Sequence, residues 1–169
     1  MRYAPILLSL GLLAAVPVLG QALKGHDAKS PVDVEADRIE VQDRADRAIF
    51  SGNVLVRQAN LTLTAGRLTV AYARQGGGVD IDRLDASGGV MVKSPSETAR
   101  GDFAVYDLNK RLITLVGGVE LTQGSNRVQG GRMVIDLDTG RATVDGRGTP
   151  GSSTSGRVSG RFTVAGAKK

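Results

Sequence analysis

A single histidine, His26, and the absence of cysteine limit the chemistry open to this chain of 169 residues. His26 stands near the N-terminus, ahead of the repeated part of the sequence. Neither a Ser-His-Asp system nor a histidine-based metal site can be assembled within that part. Without cysteine there is no thiol nucleophile, zinc-thiolate site or disulfide, and no residue for lipoprotein acylation. Asp80, Asp82 and Asp85 lie close enough in sequence to meet a calcium ion, but such a spacing is far more often a solvated strand face. Gly76-Gly77-Gly78 lacks the Lys-Ser/Thr pair and following helix of a phosphate-cradling loop and reads as a hairpin loop. The expectation is a protein that is not an enzyme, with no catalytic residue, metal or cofactor.

What the chain does place with regularity is alkyl surface. Period-two alternation puts Val54, Val56, Leu61, Leu63, Leu68, Val70, Ile81, Val90, Val92, Phe103, Val105, Val119, Leu121, Met133 and Ile135 on inward positions. Such stripes are usually an ordinary sealed core. The other reading is an interior that also accepts alkyl chains, and the pattern alone leaves both open.

The elements that must carry these residues are strands. Glycine occurs 23 times, and each glycine inside a helix costs about 1 kcal/mol relative to alanine. Hydrophobic residues make up 41% but aromatics only 4%, so the core rests on Val, Leu, Ile and Ala. One motif, Gly/Asp-x-apolar-x-Val, begins at Asp37, Gly66, Gly101 and Gly131, with steps of 29, 35 and 30 residues. A second, a glycine leading a β-branched run, falls at Gly52, Gly88, Gly117 and, in degenerate form, Gly146, with steps of 36, 29 and 29. A period near 30 residues marks a repeat architecture. Turn-rich stretches at 42–47, 107–111 and 136–141 are its hairpin ends, and the four second-motif glycines would crease every hairpin at one height. The predicted fold is all-β, a twisted, partly open jellyroll of about four repeats of bent hairpins.

Around this unit, residues 1–22 have the layout of a secretory signal peptide: Arg2, then an apolar run from Ile6 to Val18 that is short for a membrane span, then small residues at Gly20 and Ala22. Residues 23–31 are a polar lead-in, 32–146 the β-domain, and 147–169 a flexible tail that holds five basic residues and no acidic ones. The net charge of +5 therefore sits largely at one end. The tail is most simply solvated, with attraction to anionic headgroups the other reading. Export, and the lack of aromatics among the basic residues, disfavour nucleic acid.

The series Val34-Glu35-Ala36-Asp37-Arg38-Ile39-Glu40-Val41, Phe50-Ser51-Gly52-Asn53-Val54-Leu55-Val56, Ala65-Gly66-Arg67-Leu68-Thr69-Val70 and Leu115-Val116-Gly117-Gly118-Val119-Glu120-Leu121 resembles the OstA-like periplasmic lipopolysaccharide-transport proteins, the LptA family. The resemblance covers about two thirds of the chain; the insertion at 75–78 and the Ser/Gly-rich basic tail depart from it. It implies a jellyroll that joins head-to-tail with itself and with inner-membrane-anchored and outer-membrane jellyroll partners. It also implies periplasmic location, with lipopolysaccharide or a similar glycolipid carrying its acyl chains in the interior. Two other readings stand beside it: a structural β-solenoid with a dry core, and a partner jellyroll that keeps its N-terminal segment as an anchor.

Overall fold

The computed structural model describes residues 26–147 and 156–163. It is built of β1 (Asp33–Glu35), β2 (Arg38–Gln42), β3 (Arg47–Gln58), β4 (Leu61–Gln75), β5 (Gly78–Lys93), β6 (Glu97–Asp107), β7 (Leu112–Gln123), β8 (Asn126–Asp136), β9 (Arg141–Asp145) and β10 (Ser159–Arg161), with one 3-10 turn at Asp43–Ala45. All neighbours are antiparallel and form one sheet in chain order. β1 and β2 pair with successive stretches of β3, and β9 and β10 with successive stretches of β8. Each margin of the sheet is thus a single strand interrupted halfway.

The interruptions fall on a crease that crosses every strand. Register shifts lie between Ser51 and Val54, Thr64 and Arg67, Ser87 and Val90, Arg100 and Phe103, and Val116 and Val119. On β3, β5 and β7 the crease is a pair of left-handed residues: Gly52-Asn53, Gly88-Gly89 and Gly117-Gly118. Gly117 has φ of +84°, and a Cβ there would collide with the Asp102 carboxylate of the neighbouring strand. Only glycine meets both conditions.

The crease folds the sheet back on itself. Through the ladder, Tyr106 stands level with Leu84, Val70 and Ala48. Ala48 and Gln58 are ten residues apart on β3, roughly 33 Å in an unbent strand. Yet the Tyr106 hydroxyl donates to Gln58 Oε1 at 3.0 Å. Two leaves therefore face each other. Leaf one comprises residues 54–65, 90–101 and 119–130 with β1 and β10; leaf two comprises residues 47–51, 67–87, 103–116 and 132–136 with β2 and β9. At the free margin of leaf two the turns stack, Tyr72 N–H bonding to Asp46 O, Leu108 N–H to Asp82 O and Leu137 N–H to Arg111 O. The insertion makes β4 and β5 the longest strands, joined by a left-handed turn at Gly76-Gly77.

Three expectations need correction. Phe103 is 55% exposed and Val105 sits on the outer face, while Ala104 and Tyr106 between and beyond them are buried. In the ladder Leu68, Ala86, Ala104, Leu115 and Met133 share one level, so the residue equivalent to Gly66 is Asp102 and not Gly101. The first motif then steps by 29, 36 and 29 residues. A slip of one residue turns every side chain to the opposite face. Gly146 carries no left-handed bulge: it follows the last residue of β9, pressed against the Gly156 carbonyl, where the strand stops. The stretch 147–169 is not wholly a tail, because β10 pairs with β8 and Thr163 N–H bonds to Asn126 Oδ1 at 2.9 Å. The signal-peptide span 1–22 lies outside the described residues.

Gly117→Ala should lower stability by about 2 kcal/mol, the cost of a left-handed residue plus a steric collision, and the thermal midpoint by roughly 5–10 °C. Gly118→Asn should cost little, because Asn53 holds φ of +45° at the equivalent position. Calorimetry of the two variants checks this; equal losses would refute the crease geometry.

Candidate functional site

The space between the leaves is lined by side chains from both. Leaf two supplies the larger ones, Leu68, Leu84, Ile113, Leu115, Met133 and Ile135, each almost wholly buried. Leaf one answers with Val54, Val90, Val92 and Val119. Of the inward set read from alternation, Val56, Leu61, Leu63 and Val70 are buried as well, and Ile81 and Leu121 are half-buried against the same cluster. Leu84, Ala86, Ala99, Ala104, Tyr106, Ile113, Leu115 and Leu137 also belong to this buried cluster and were missed. Leu84 and Ala86 alternate with Arg83, Asp85 and Ser87 and were legible. Ile113 and Leu115 sit in Leu112-Ile113-Thr114-Leu115-Val116, where apolar residues occupy both alternating positions and so give no phase.

The trough is closed along its middle, where the lining has essentially no contact with water. At its ends the same inner rows come out bare. Ile39 and Val41 of β2 lie opposite Phe50 and Ala48 and, with no further strand beyond them, are 56% and 61% exposed. At the other end Val158 and Phe162 are exposed on either side of Gly160, whose ladder partner Val128 alternates with the exposed Arg127 and Gln129. A hollow of about 490 Å³ opens there, beside Val119, Gly130 and Val158, near the gap between β9 and β10.

The margin opposite the crease is polar. Gln58 occupies an inward slot after Val54 and Val56 and, although polar, is only 2% exposed. Its Nε2 donates to the Ala28 and Ser30 carbonyls, both at 3.0 Å. Its Oε1 accepts from the Tyr106 hydroxyl, and His26 Nε2 lies 3.1 Å from it. Since the amide nitrogen is committed to two carbonyls, His26 must carry a proton on Nε2. Further along, Glu97 is also buried and accepts from Gln123 Nε2 at 2.9 Å. Burial pushes the Tyr106 phenol up to about 12, against a smaller opposing effect of Arg111. The outer faces carry exposed ion pairs such as Arg83 with Asp85 at 2.6 Å, which contribute little to stability. No group of three or more metal-ligating side chains occurs among the described residues, and no helix among them is long and apolar enough to cross a membrane.

Residues 33–141 match the family described as LptA/(LptD N-terminal domain) LPS transport protein. An uncharacterized protein of Rhizobium meliloti (strain 1021) is 38% identical, over 70% of this chain and 67% of that one. The lipopolysaccharide export system protein LptH of Pseudomonas aeruginosa is 28% identical over 85% of this chain and 87% of its own length. LPS-assembly protein LptD of Sodalis glossinidius is 30% identical over 81% of this chain, which spans only 17% of that protein. The crystal structure of LptH, described as the LptA homologous periplasmic component of the lipopolysaccharide transport device, superposes with a TM-score of 0.71 over 82% of this chain and 99% of that one. At 19% identity that likeness establishes the shared fold.

The raised Tyr106 value has a sign that can be measured. The folded protein holds the phenol proton to about pH 12, whereas the unfolded chain releases it near pH 10. The contribution is therefore intact below pH 10 and lost as pH climbs from 10 to 12. The chain's unfolding midpoint should fall across that window, and Tyr106→Phe should remove this step. An alkaline slope identical in both proteins would contradict the assigned environment.

Proposed function

The chain belongs to the LptA/(LptD N-terminal domain) LPS transport protein family, and from that premise we propose that it is a periplasmic, non-enzymatic carrier that takes the acyl chains of lipopolysaccharide or a similar glycolipid between its two leaves. The observation that carries this reading is the trough itself: two apolar faces joined on one side by a crease, with inner rows left bare at both ends. Burial of one CH₂ is worth about 0.8 kcal/mol, so a long acyl chain gains on the order of 10 kcal/mol. A multi-acyl lipid would not dissociate into water, and its route runs from one apolar trough to the next.

Because the lining is closed along the middle, uptake requires the leaves to part. An acyl chain then exchanges leaf-to-leaf contacts for leaf-to-chain contacts of the same apolar kind, which keeps the cost of opening small beside the gain. The closed lining also favours a second reading, a structural β-solenoid with a dry core.

The ends supply the route. β2 and the β9–β10 margin present unpaired backbone groups beside exposed apolar side chains, the means of strand addition. A head-to-tail contact of this kind does not close and yields filaments. In this reading the chain stacks on itself and on jellyroll partners at the inner and outer membranes, after export and removal of residues 1–22. Also in this reading, Arg147, Arg157 and Arg161 attract anionic headgroups.

A photocrosslinker at Leu63 or Val92 should capture co-purified lipid from the native envelope, and one at Phe103, on the outer face, should not. An interior that captures nothing would leave the dry solenoid.

A further inference from the structure

Gln58 is an amide in an apolar row, and the structure gives it more than packing. A buried amide without partners is costly, and an aliphatic residue would fill the slot at no such risk. Here every bonding capacity of the side chain is used: two N–H groups on the Ala28 and Ser30 carbonyls, and two oxygen lone pairs facing the Tyr106 hydroxyl and His26 Nε2. Three parts of the chain that share no ladder pairing thus meet at one side chain: leaf one through β3, leaf two through β6, and the segment 26–30.

That segment is lightly held. It precedes the first strand and has no ladder partner. A local turn shapes it, with the Asp27 carboxylate accepting from Lys29 N–H and from the Ser30 hydroxyl. Its residues are exposed or half-exposed, and its side chains and carbonyls bond to the domain at Gln58 and Asn60. Few buried contacts and solvent-facing bonds are the marks of a part that opens locally. The crease holds the leaves together on one side; on the other side the Tyr106–Gln58 bond joins them directly.

We propose that Gln58, Tyr106 and the segment 26–30 form a latch across the free margin of the trough, which keeps the leaves shut while empty and which an arriving alkyl chain displaces. This rests on the lipid-carrier reading and adds to it a named point of control. The latch is made of a few hydrogen bonds, each of small net value. The hydrophobic gain from one acyl chain exceeds it, so the guest opens what water leaves closed. In the unoccupied protein the same bonds keep the apolar lining from meeting another copy side by side.

The test uses the full mature chain and purified lipopolysaccharide as the probe, with uptake followed in a stopped-flow instrument by displacement of a fluorescent fatty acid. Tyr106→Phe keeps the ring and removes the bond; uptake should accelerate roughly three- to tenfold, the equivalent of one net hydrogen bond. Hydrogen exchange of the amides at 26–30 should rise in parallel. Because the protein has no cysteine, Gln58→Cys with Tyr106→Cys can be bridged by a bifunctional maleimide. The bridged form should lose uptake and the unbridged form should gain it. If wild type takes up lipid, and neither Tyr106→Phe nor the bridge alters the rate, the latch is refuted and carriage stands. If wild type, variant and unbridged double variant all fail to take up lipid, the carrier reading falls and the latch with it.

Discussion

Everything in this molecule depends on a constraint that acts across the strands. A hydrogen-bonded ladder can turn back on itself only if each strand turns at the same height. The protein meets that condition with left-handed residue pairs on β3, β5 and β7 and one-residue phase shifts on the strands between them. At the two margins, where no neighbour enforces continuity, the strand breaks at the crease into β1 and β2 or into β9 and β10. The interior exists because of this turn. A flat sheet with the same alternation would present its alkyl face to water and aggregate.

The two faces brought together are unequal in a way that suits their contact. Leucine, isoleucine and methionine project from leaf two onto valines of leaf one, and alanines at 65, 86, 99 and 104 hold the leaves close. Interdigitation of large and small side chains gives a dry, well-packed seam without aromatic plates. Such contacts are non-directional, and an alkyl guest can replace them in kind. Directionality is confined to the free margin, where Gln58, Tyr106, Glu97 and Gln123 make hydrogen bonds that an alkyl chain cannot replace. In the proposed carrier, exchangeable contacts in the middle and specific ones at the lip would separate holding from gating within a single sheet.

The all-β class, the repeat, the stacked turns and three of the four bend glycines were legible because strand periodicity and turn chemistry are local. Family resemblance reached the same fold from the ordered motifs. The failures were local as well. Aligning Gly101 with Gly66 passed over Asp102, which repeats the role of Asp37 above a bulge glycine. That one-residue error sent Phe103 and Val105 to the wrong face. Gly146 matched the period but ends a strand, and β10 was hidden in a low-complexity stretch whose composition says nothing of pairing. The margin was beyond reach for another reason: Gln58 and Tyr106 are 48 positions apart, and their meeting follows from the fold-over, which no window of sequence contains. His26 likewise showed only what it could not catalyse.

The shared crease has a mechanical corollary. Ladder bonds run unbroken from strand to strand on both of its flanks, so one strand cannot change its dihedral opening without imposing the change on the next. Gly89 and Gly118 have nothing within 4 Å of where a side chain would stand, which leaves the spine free of steric stops on that side. A change of opening along the crease would therefore spread as in a book along its binding, and in the proposed carrier a guest that widened one end would widen the other. Were such units to stack as proposed, the aperture of one would reach its neighbour as an angle.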